Sequence, residues 1–325
     1  MSQFLGVTFQ PYVGRWMGTP PNATTPQWNS YSQQDIVSML EVIAPQFTKI
    51  STYGMGYSGY YSPATPWDLV DSNCHVAGAA AQINQLHGQL TIEVAQGIYQ
   101  QPNAELQQAE IAAAFSAASA ANALVSNTVT SLIFTNEYVV DAQTTNAVNA
   151  MIVANQQNAQ NLALKVGVRS NTFGEIANPS SPFYNELQTL IQNCDFIQCN
   201  LYPGSSTPTP QDGVNEVSEA FKAIESAVAD INPECEVMIG ETGWPSEGVS
   251  FNNTDNNVNN LLAYFEAIDK WASAQSVITY LFEGIDEPWK SNQNSQDPPW
   301  QGQNGAEGHY GLWYLNDDSY TQKNV

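Results

Sequence analysis

The sequence predicts an α/β protein built as a single (β/α)8 TIM barrel, with its site at the C-terminal ends of the strands. Three observations carry that expectation. Eight short apolar runs recur roughly every 30 to 43 residues. Segments of helical composition separate them. No linker or shift in composition divides the chain, so residues 1–325 are expected to form one domain, with 286–325 as a closing loop and C-terminal segment.

The apolar runs are Phe4–Gln10, Phe47–Tyr53, Leu90–Gly97, Ser131–Asn136, Lys165–Ser170, Asp195–Leu201, Glu236–Gly240 and Val277–Phe282. They are too short and too uniformly apolar for surface helices, and they suit parallel strands buried on both faces. Between the first two lies Gln33–Ile43, a helical stretch with Ser32 available as its cap. Ala104–Val125 is rich in Ala, Gln, Leu and Glu, all strong helix formers. Its Ala-rich centre reads as a packed helix. Asp141–Ala163, Asn215–Ala229 and Asn257–Ala274 supply further helices. A doubly wound open sheet is the competing architecture. Against it, Gln10-Pro11-Tyr12-Val13-Gly14 follows the first strand where a Gly-rich phosphate turn would stand. From Asp286 onward the chain is polar, aromatic and without periodicity.

Composition narrows the partners. Lys and Arg number 8 against 31 Asp and Glu, a net charge of −23. Such a chain repels nucleic acid and anionic membranes, and it fits a neutral or cationic substrate. No apolar run reaches the length of about 18 residues that a membrane span needs. Four cysteines without CxxC spacing and three histidines argue against a zinc site. In an exported protein those cysteines allow one or two disulfides. The start at Met1 lacks the basic and long apolar regions of a secretory leader, whereas two sequons, Asn22-Ala23-Thr24 and Asn252-Asn253-Thr254, fit export.

The most informative stretch is Val237 to Ser246. A buried strand delivers Glu241 directly into a Gly243-Trp244-Pro245 turn. A pyranose can lay its apolar face on an indole while a carboxylate reaches its reactive carbon. A charged residue at a strand end is ordinarily solvated surface, but the Trp-Pro that follows argues against that reading here. The other strand ends carry Phe9, Gln10 and Tyr12; Tyr53; Asn136 and Glu137; Asn200 and Tyr202; and the block Phe282–Lys290. Carboxylates, amides and aromatics gather there, which is an inventory for sugar. Glu137 and Glu241, after strands four and seven, are expected to converge across the barrel. Glycoside cleavage needs one carboxylic acid to protonate the leaving oxygen and a second carboxylate to attack or to direct water. Asn136 is suitably placed to hold a sugar 2-hydroxyl. With so few cations in the chain, a salt-bridge role for Glu137 is hard to supply.

Ile239–Ser246 resembles the nucleophile signature of glycoside hydrolase family 17, the β-1,3-glucanases and related transglycosylases. Phe4–Tyr12 is similar to the first strand of that family's fungal and bacterial members. Asn200-Leu201-Tyr202-Pro203, Phe282–Lys290 and Glu307–Leu312 resemble its strand-six, strand-eight and closing segments. The resemblance implies a retaining enzyme with Glu241 as nucleophile and Glu137 as general acid/base. It makes Glu287 and Lys290 an accessory charged pair, and places Tyr202 near the nucleophile and Tyr53 near the reacting sugar. Trp244, Trp289 and Tyr12 are stacking platforms or core packing. Glu93, Glu283 and Asp286 are the other carboxylates expected near the mouth, Glu283 as a ligand for sugar hydroxyls and Glu93 in a structural part. One departure stands out. Family members often carry Arg before the Thr-Tyr of strand two, where this chain has Ser51-Thr52-Tyr53. If that arginine orders the site, another group has to replace it.

The expected activity is endo-cleavage of a β-1,3-glucan such as laminarin, by double displacement and with no metal or organic cofactor. Retention calls for the two carboxyl groups to stand roughly 5–5.5 Å apart. The alternative is a β-1,3-glucanosyltransferase using the same glycosyl-enzyme. A β-1,4-glycanase of the same clan and a non-catalytic glucan-binding protein are the remaining readings. The protein is expected to act outside the cell, where polymeric glucan lies, as a monomer without nucleic-acid or membrane partners.

Overall fold

The computed structural model describes residues 3–11, 32–55, 72–204, 207–248, 256–291, 305–316 and 319–324. Eight parallel strands close into a barrel: β1 (Leu5–Thr8), β2 (Lys49–Ser51), β3 (Glu93–Ile98), β4 (Val129–Asn136), β5 (Lys165–Ser170), β6 (Phe196–Asn200), β7 (Glu236–Thr242) and β8 (Thr279–Leu281). Each pairs with the next, and β8 returns to β1 through Leu5 opposite Thr279. The uniform apolarity of the runs has a direct cause, since both faces of every strand are covered. One face meets the helices in a large outer core, and the other meets a small plug of Ala95, Ile133, Phe196, Met238 and Tyr280 inside the barrel. The plug is fitted closely. A Cβ on Gly167 would fall 2.3 Å from the Phe196 carbonyl oxygen, so only glycine lets β5 approach β6 there.

The helices among the described residues are α1 (Gln33–Ile43), α2 (Val76–His87), α3 (Ala104–Leu124), α4 (Ala142–Asn161), α5 (Tyr184–Gln192), α6 (Pro210–Ile231) and α7 (Val258–Gln275). Ser32 caps α1 as expected. Its hydroxyl accepts from the Asp35 N–H, and the Asp35 carboxylate accepts from the Ser32 N–H at 2.7 Å. Two helices carried signals that the composition reading passed over. α2 ends on Gly88 with φ 65°, a left-handed C-terminal cap. α5 buries Leu187, Leu190 and Ile191, one face of a short amphipathic helix. α6 starts five residues before the expected Asn215, because Thr209 accepts from the Asp212 N–H and Pro210 occupies the first turn.

The segment after Asp286, read as aperiodic, contains regular structure. Beyond the 3-10 turns Pro288–Ser291 and Ala306–His309, β9 (Trp313–Asn316) pairs antiparallel with β10 (Ser319–Gln322). Cys194, Cys199 and Cys235 are buried free thiols. Burial pushes that of Cys235 up to about 12. No helix among the described residues is long and apolar enough to cross a membrane.

Candidate active site

Irregular ladders shape the C-terminal strand ends. β4 loses register with β5 between Phe134 and Asn136, and Thr135 and Glu137 both take left-handed backbone, φ 66° and 53°. Neither residue is glycine, so each pays for that conformation, of order 1–2 kcal/mol. The irregularity presents Asn136 and Glu137 in succession at the mouth. The β6–β7 ladder likewise shifts between Cys199 and Asn200, leaving Asn200 opposite Glu241. β7 runs on to Thr242, so Glu241 lies within the strand and is 6% exposed, whereas Glu137 stands in the open mouth.

These residues form one polar network. The Asn200 amide donates to Glu137 Oε1 at 2.9 Å and to Asn136 Oδ1 at 3.4 Å. Asn136 Oδ1 also accepts from Arg169 Nε at 2.8 Å, and that nitrogen stands 3.5 Å from Glu241 Oε1. The other carboxylate oxygen of Glu241 accepts from the Tyr202 hydroxyl at 3.0 Å. Burial raises the Glu241 carboxyl above the ordinary glutamate value, and the Glu137 charge adds to the rise. Arg169 and the Tyr202 hydroxyl oppose both.

Arg169 went unrecognised in the sequence. An arginine near the end of an apolar run gives no sign of which face it takes, and here it turns inward and is wholly buried. Its Nη1 donates to Ser51 Oγ at 3.0 Å, its Nη2 to the Thr52 carbonyl at 3.0 Å, and its guanidinium lies 4.0 Å from the centre of the Tyr53 ring. The serine standing where an arginine was expected therefore touches the guanidinium of another strand. Asn200, whose motif was noticed without a role, is the second omission.

A second cluster comes from the chain after β8. Lys290 pairs with Glu287 and, at 3.3 Å, with Glu283, and its ammonium lies 4.7 Å from the Phe282 ring centre. All three charged side chains are buried. Burial and the neighbouring Glu287 push the Glu283 carboxyl well up. For Lys290 burial alone would lower the ammonium, but the two glutamates overturn that and hold it above its ordinary value. Glu307 joins from the closing segment, its carboxyl raised by burial against the pull of Lys290.

Aromatic groups are divided between mouth and core. Tyr202 is 38% exposed and meets Phe282 and Tyr310 edge-on at 6.2 and 6.0 Å. Trp244 is a correction to any stacking role. It is 3% exposed, packed against Tyr264 at 6.0 Å, so its indole belongs to the core between α6 and α7 rather than to the mouth. Tyr12 and the side chain of Trp289 lie outside the described residues. Glu93, expected near the mouth, sits instead at the N-terminal start of β3, paired with Lys49 at 3.1 Å at the opposite end of the barrel.

Asp286, counted in the sequence among carboxylates near the mouth, instead serves a strap. Lys323, fully buried after β10, places its ammonium 2.8 Å from Asp286 Oδ1, 2.7 Å from Ser246 Oγ and 3.4 Å from the His309 carbonyl. One cation thus ties the loops after β7 and β8 to the closing segment. Burial lifts the Asp286 carboxyl to about 6 against Lys323 and the Gly311 N–H. Lys323→Met leaves that carboxylate buried without its cation, a change that costs about 3 kcal/mol. Urea denaturation should show that loss, and adding Asp286→Leu should restore much of it. A single variant within about 0.5 kcal/mol of wild type would mean that the strap contributes nothing.

Comparison with known proteins adds relatives to this geometry. The fold is similar to that of an endo-laminarinase from Formosa, with a TM-score of 0.67 and 15% identity over 96% of this chain and 83% of that one. It is also similar to a glycoside hydrolase family 17 β-1,3-glucanosyltransferase from Rhizomucor miehei, at TM-score 0.62 and 17% identity over 99% and 97%. At such identities the likeness is one of fold. In sequence the chain is 25% identical over 133 residues to a glucan 1,3-β-glucosidase of Saccharomyces cerevisiae, 40% of each chain. It is 28% identical over 105 residues to one of Candida albicans, 30% of this chain and 29% of that one. The chain thus spans well under half the length of these curated relatives. Residues 70–311, a span that holds Glu137, Arg169, Glu241 and Lys290, match the family model described as the BtgE/BtgC glycoside hydrolase domain, and the chain belongs to that family.

Proposed function

We propose that this chain is a retaining endo-β-1,3-glucanase of the glycoside hydrolase family 17 type, acting on laminarin-like glucan outside the cell. The observation that carries the reading is the single network joining Glu137 to Glu241 through Asn200, Asn136 and Arg169. The two carboxylates differ as the chemistry requires, one exposed at the mouth and one buried against a tyrosine and a guanidinium. Glu137 gives its proton to the glycosidic oxygen while Glu241 attacks the anomeric carbon and forms a glycosyl-enzyme. Glu137 then takes a proton from water, whose oxygen displaces Glu241. Tyr202 offers a ring to the sugar, and Lys290 with Glu283 and Glu287 fixes the far wall of the mouth. Residues 1–325 act as one catalytic barrel, with 286–325 closing over it. The β-1,3 linkage is supported by the names of the relatives, glucan 1,3-β-glucosidase and β-1,3-glucanosyltransferase. The second of those names also keeps transfer to another glucan in view, since it differs from hydrolysis only in the acceptor.

A time course of laminarin digestion tests this. A ladder of short β-1,3-oligosaccharides from the earliest points, released as the β-anomer, is the expected result. Products longer than a supplied oligosaccharide would move the activity to transfer. Faster release from a β-1,4-glucan would sink the linkage, and laminarin bound without turnover would sink the enzyme.

A further inference from the structure

We propose that Arg169, reaching from β5 across to β2, β4 and β7, is the positioning residue that holds the Glu241 carboxylate in place through both chemical steps. The inference rests on the glycosidase reading above and adds a part to it. A guanidinium is always charged and carries five N–H donors in a rigid fork. When it is fully buried, each donor needs an acceptor and the charge needs a counter-charge. At Arg169 these two needs are met by different groups. The acceptors are neutral: Asn136 Oδ1, Ser51 Oγ and the Thr52 carbonyl, at 2.8, 3.0 and 3.0 Å, with the Tyr53 ring against its face. The carboxylate against it is Glu241, at 3.5 Å.

That division has a chemical consequence. Glu241 loses its charge when it forms the bond to the anomeric carbon, and it regains the electron pair when water breaks that bond. A guanidinium anchored by the nucleophile itself would loosen in the intermediate. Arg169 is anchored by three neutral groups that do not change during the reaction, so it stays in position to receive the returning charge. It therefore favours the second step, in which Glu241 leaves. It acts through Glu241, with no contact to the reacting carbon required of it.

The groups facing Glu241 are Arg169 from β5, Glu137 from the end of β4, Tyr202 after β6 and Tyr53 after β2. Arg169 alone among them is a cation, and it works against burial. Removing it should move the acidic limb of kcat/KM upward, because the free carboxylate is then harder to keep ionised. Arg169→Met is expected to lower kcat on laminarin about 100-fold or more, to shift the acidic limb to higher pH, and to accumulate glycosyl-enzyme visible by mass spectrometry with an activated aryl β-glucoside. Arg169→Lys keeps the charge but not the fork, and should restore the limb without restoring the rate. If Arg169→Met does not fold, the lysine variant carries the test alone: wild-type kcat in it would overturn the proposal. A folded Arg169→Met whose acidic limb does not move would overturn it too, leaving Arg169 as packing. Titration of the Glu241 carboxyl by ¹³C NMR, assigned against Glu241→Gln, gives the same comparison without turnover. An enzyme inactive on every glucan would therefore fail the functional reading and leave this one still decided by the titration.

Discussion

Glu241→Gln should lower kcat/KM on laminarin by about four orders of magnitude, roughly 5 kcal/mol of transition-state stabilisation. The amide has the shape of the carboxylate and can still accept from the Tyr202 hydroxyl, so the substitution removes charge and nucleophilicity and leaves the buried Arg169 without its carboxylate. Its effect on stability follows from electrostatics. Burial and the Glu137 charge raise the Glu241 carboxyl above its ordinary value despite Arg169, so its charged form is held less favourably in the folded protein than in the unfolded chain. A neutral glutamine escapes that desolvation but leaves the buried Arg169 without its counter-charge, so the two effects oppose and Tm near neutral pH should change little. For titration of the wild type the raised value sets the sign. The stability contributed by protonated Glu241 is complete below the ordinary glutamate value and is lost as pH rises through the raised one. Steady-state kinetics and thermal denaturation of the two proteins, side by side, read both effects. Residual activity within tenfold of wild type would remove Glu241 from the role of nucleophile. A large fall in Tm would mean that its charge is structural.

The two glutamates and the barrel were legible in the sequence for a definite reason. Strands covered on both faces must be apolar throughout, so a charged or amide residue at the end of such a run stands out, and Glu241, Asn136 and Glu137 all sit at those ends. Arg169 sits at the end of a run as well, yet it stayed illegible, because its meaning depends on closure. Only when β1 to β8 pair in order does a side chain of β5 come within 3.0 Å of Ser51, 118 residues away in the chain. Lys323 was hidden by the same distance in sequence: in a polar tail one more lysine reads as solvated, and its burial follows from the β9–β10 hairpin that the tail did not announce. Trp244 shows the converse. It follows Glu241 by only three residues, but β7 ends at Thr242 and the chain then turns the indole into the core against Gly213 of α6 and Tyr264 of α7. Local pattern thus picked out the candidate residues at the strand ends, and tertiary closure determined which of them stand together.

Glu137→Gln should have an effect that depends on what is being cleaved, and that dependence separates an acid/base from a nucleophile. On laminarin the leaving group is a sugar hydroxyl that cannot depart as its anion, so the loss of a positioned acid should lower kcat/KM by about 10²–10⁴-fold. On an aryl β-glucoside whose phenol leaves without a proton, the first step should be nearly unaffected. The second step still needs a base to activate water, so glycosyl-enzyme should accumulate and KM should fall with kcat. Azide attacks without needing deprotonation, and adding it should restore turnover and give a β-glycosyl azide. Glutamine is the right replacement here. Its carbonyl oxygen can keep the 2.9 Å contact from the Asn200 amide, and the left-handed backbone at φ 53° is no harder for it than for glutamate. The network through Asn136 to Arg169 is then left in place, and Glu241 keeps its tyrosine. Loss should therefore follow the leaving group. If activity falls equally for laminarin and for the activated glucoside, and azide restores neither, Glu137 is holding the mouth in shape and the acid must be sought among Glu283, Glu287 and Glu307.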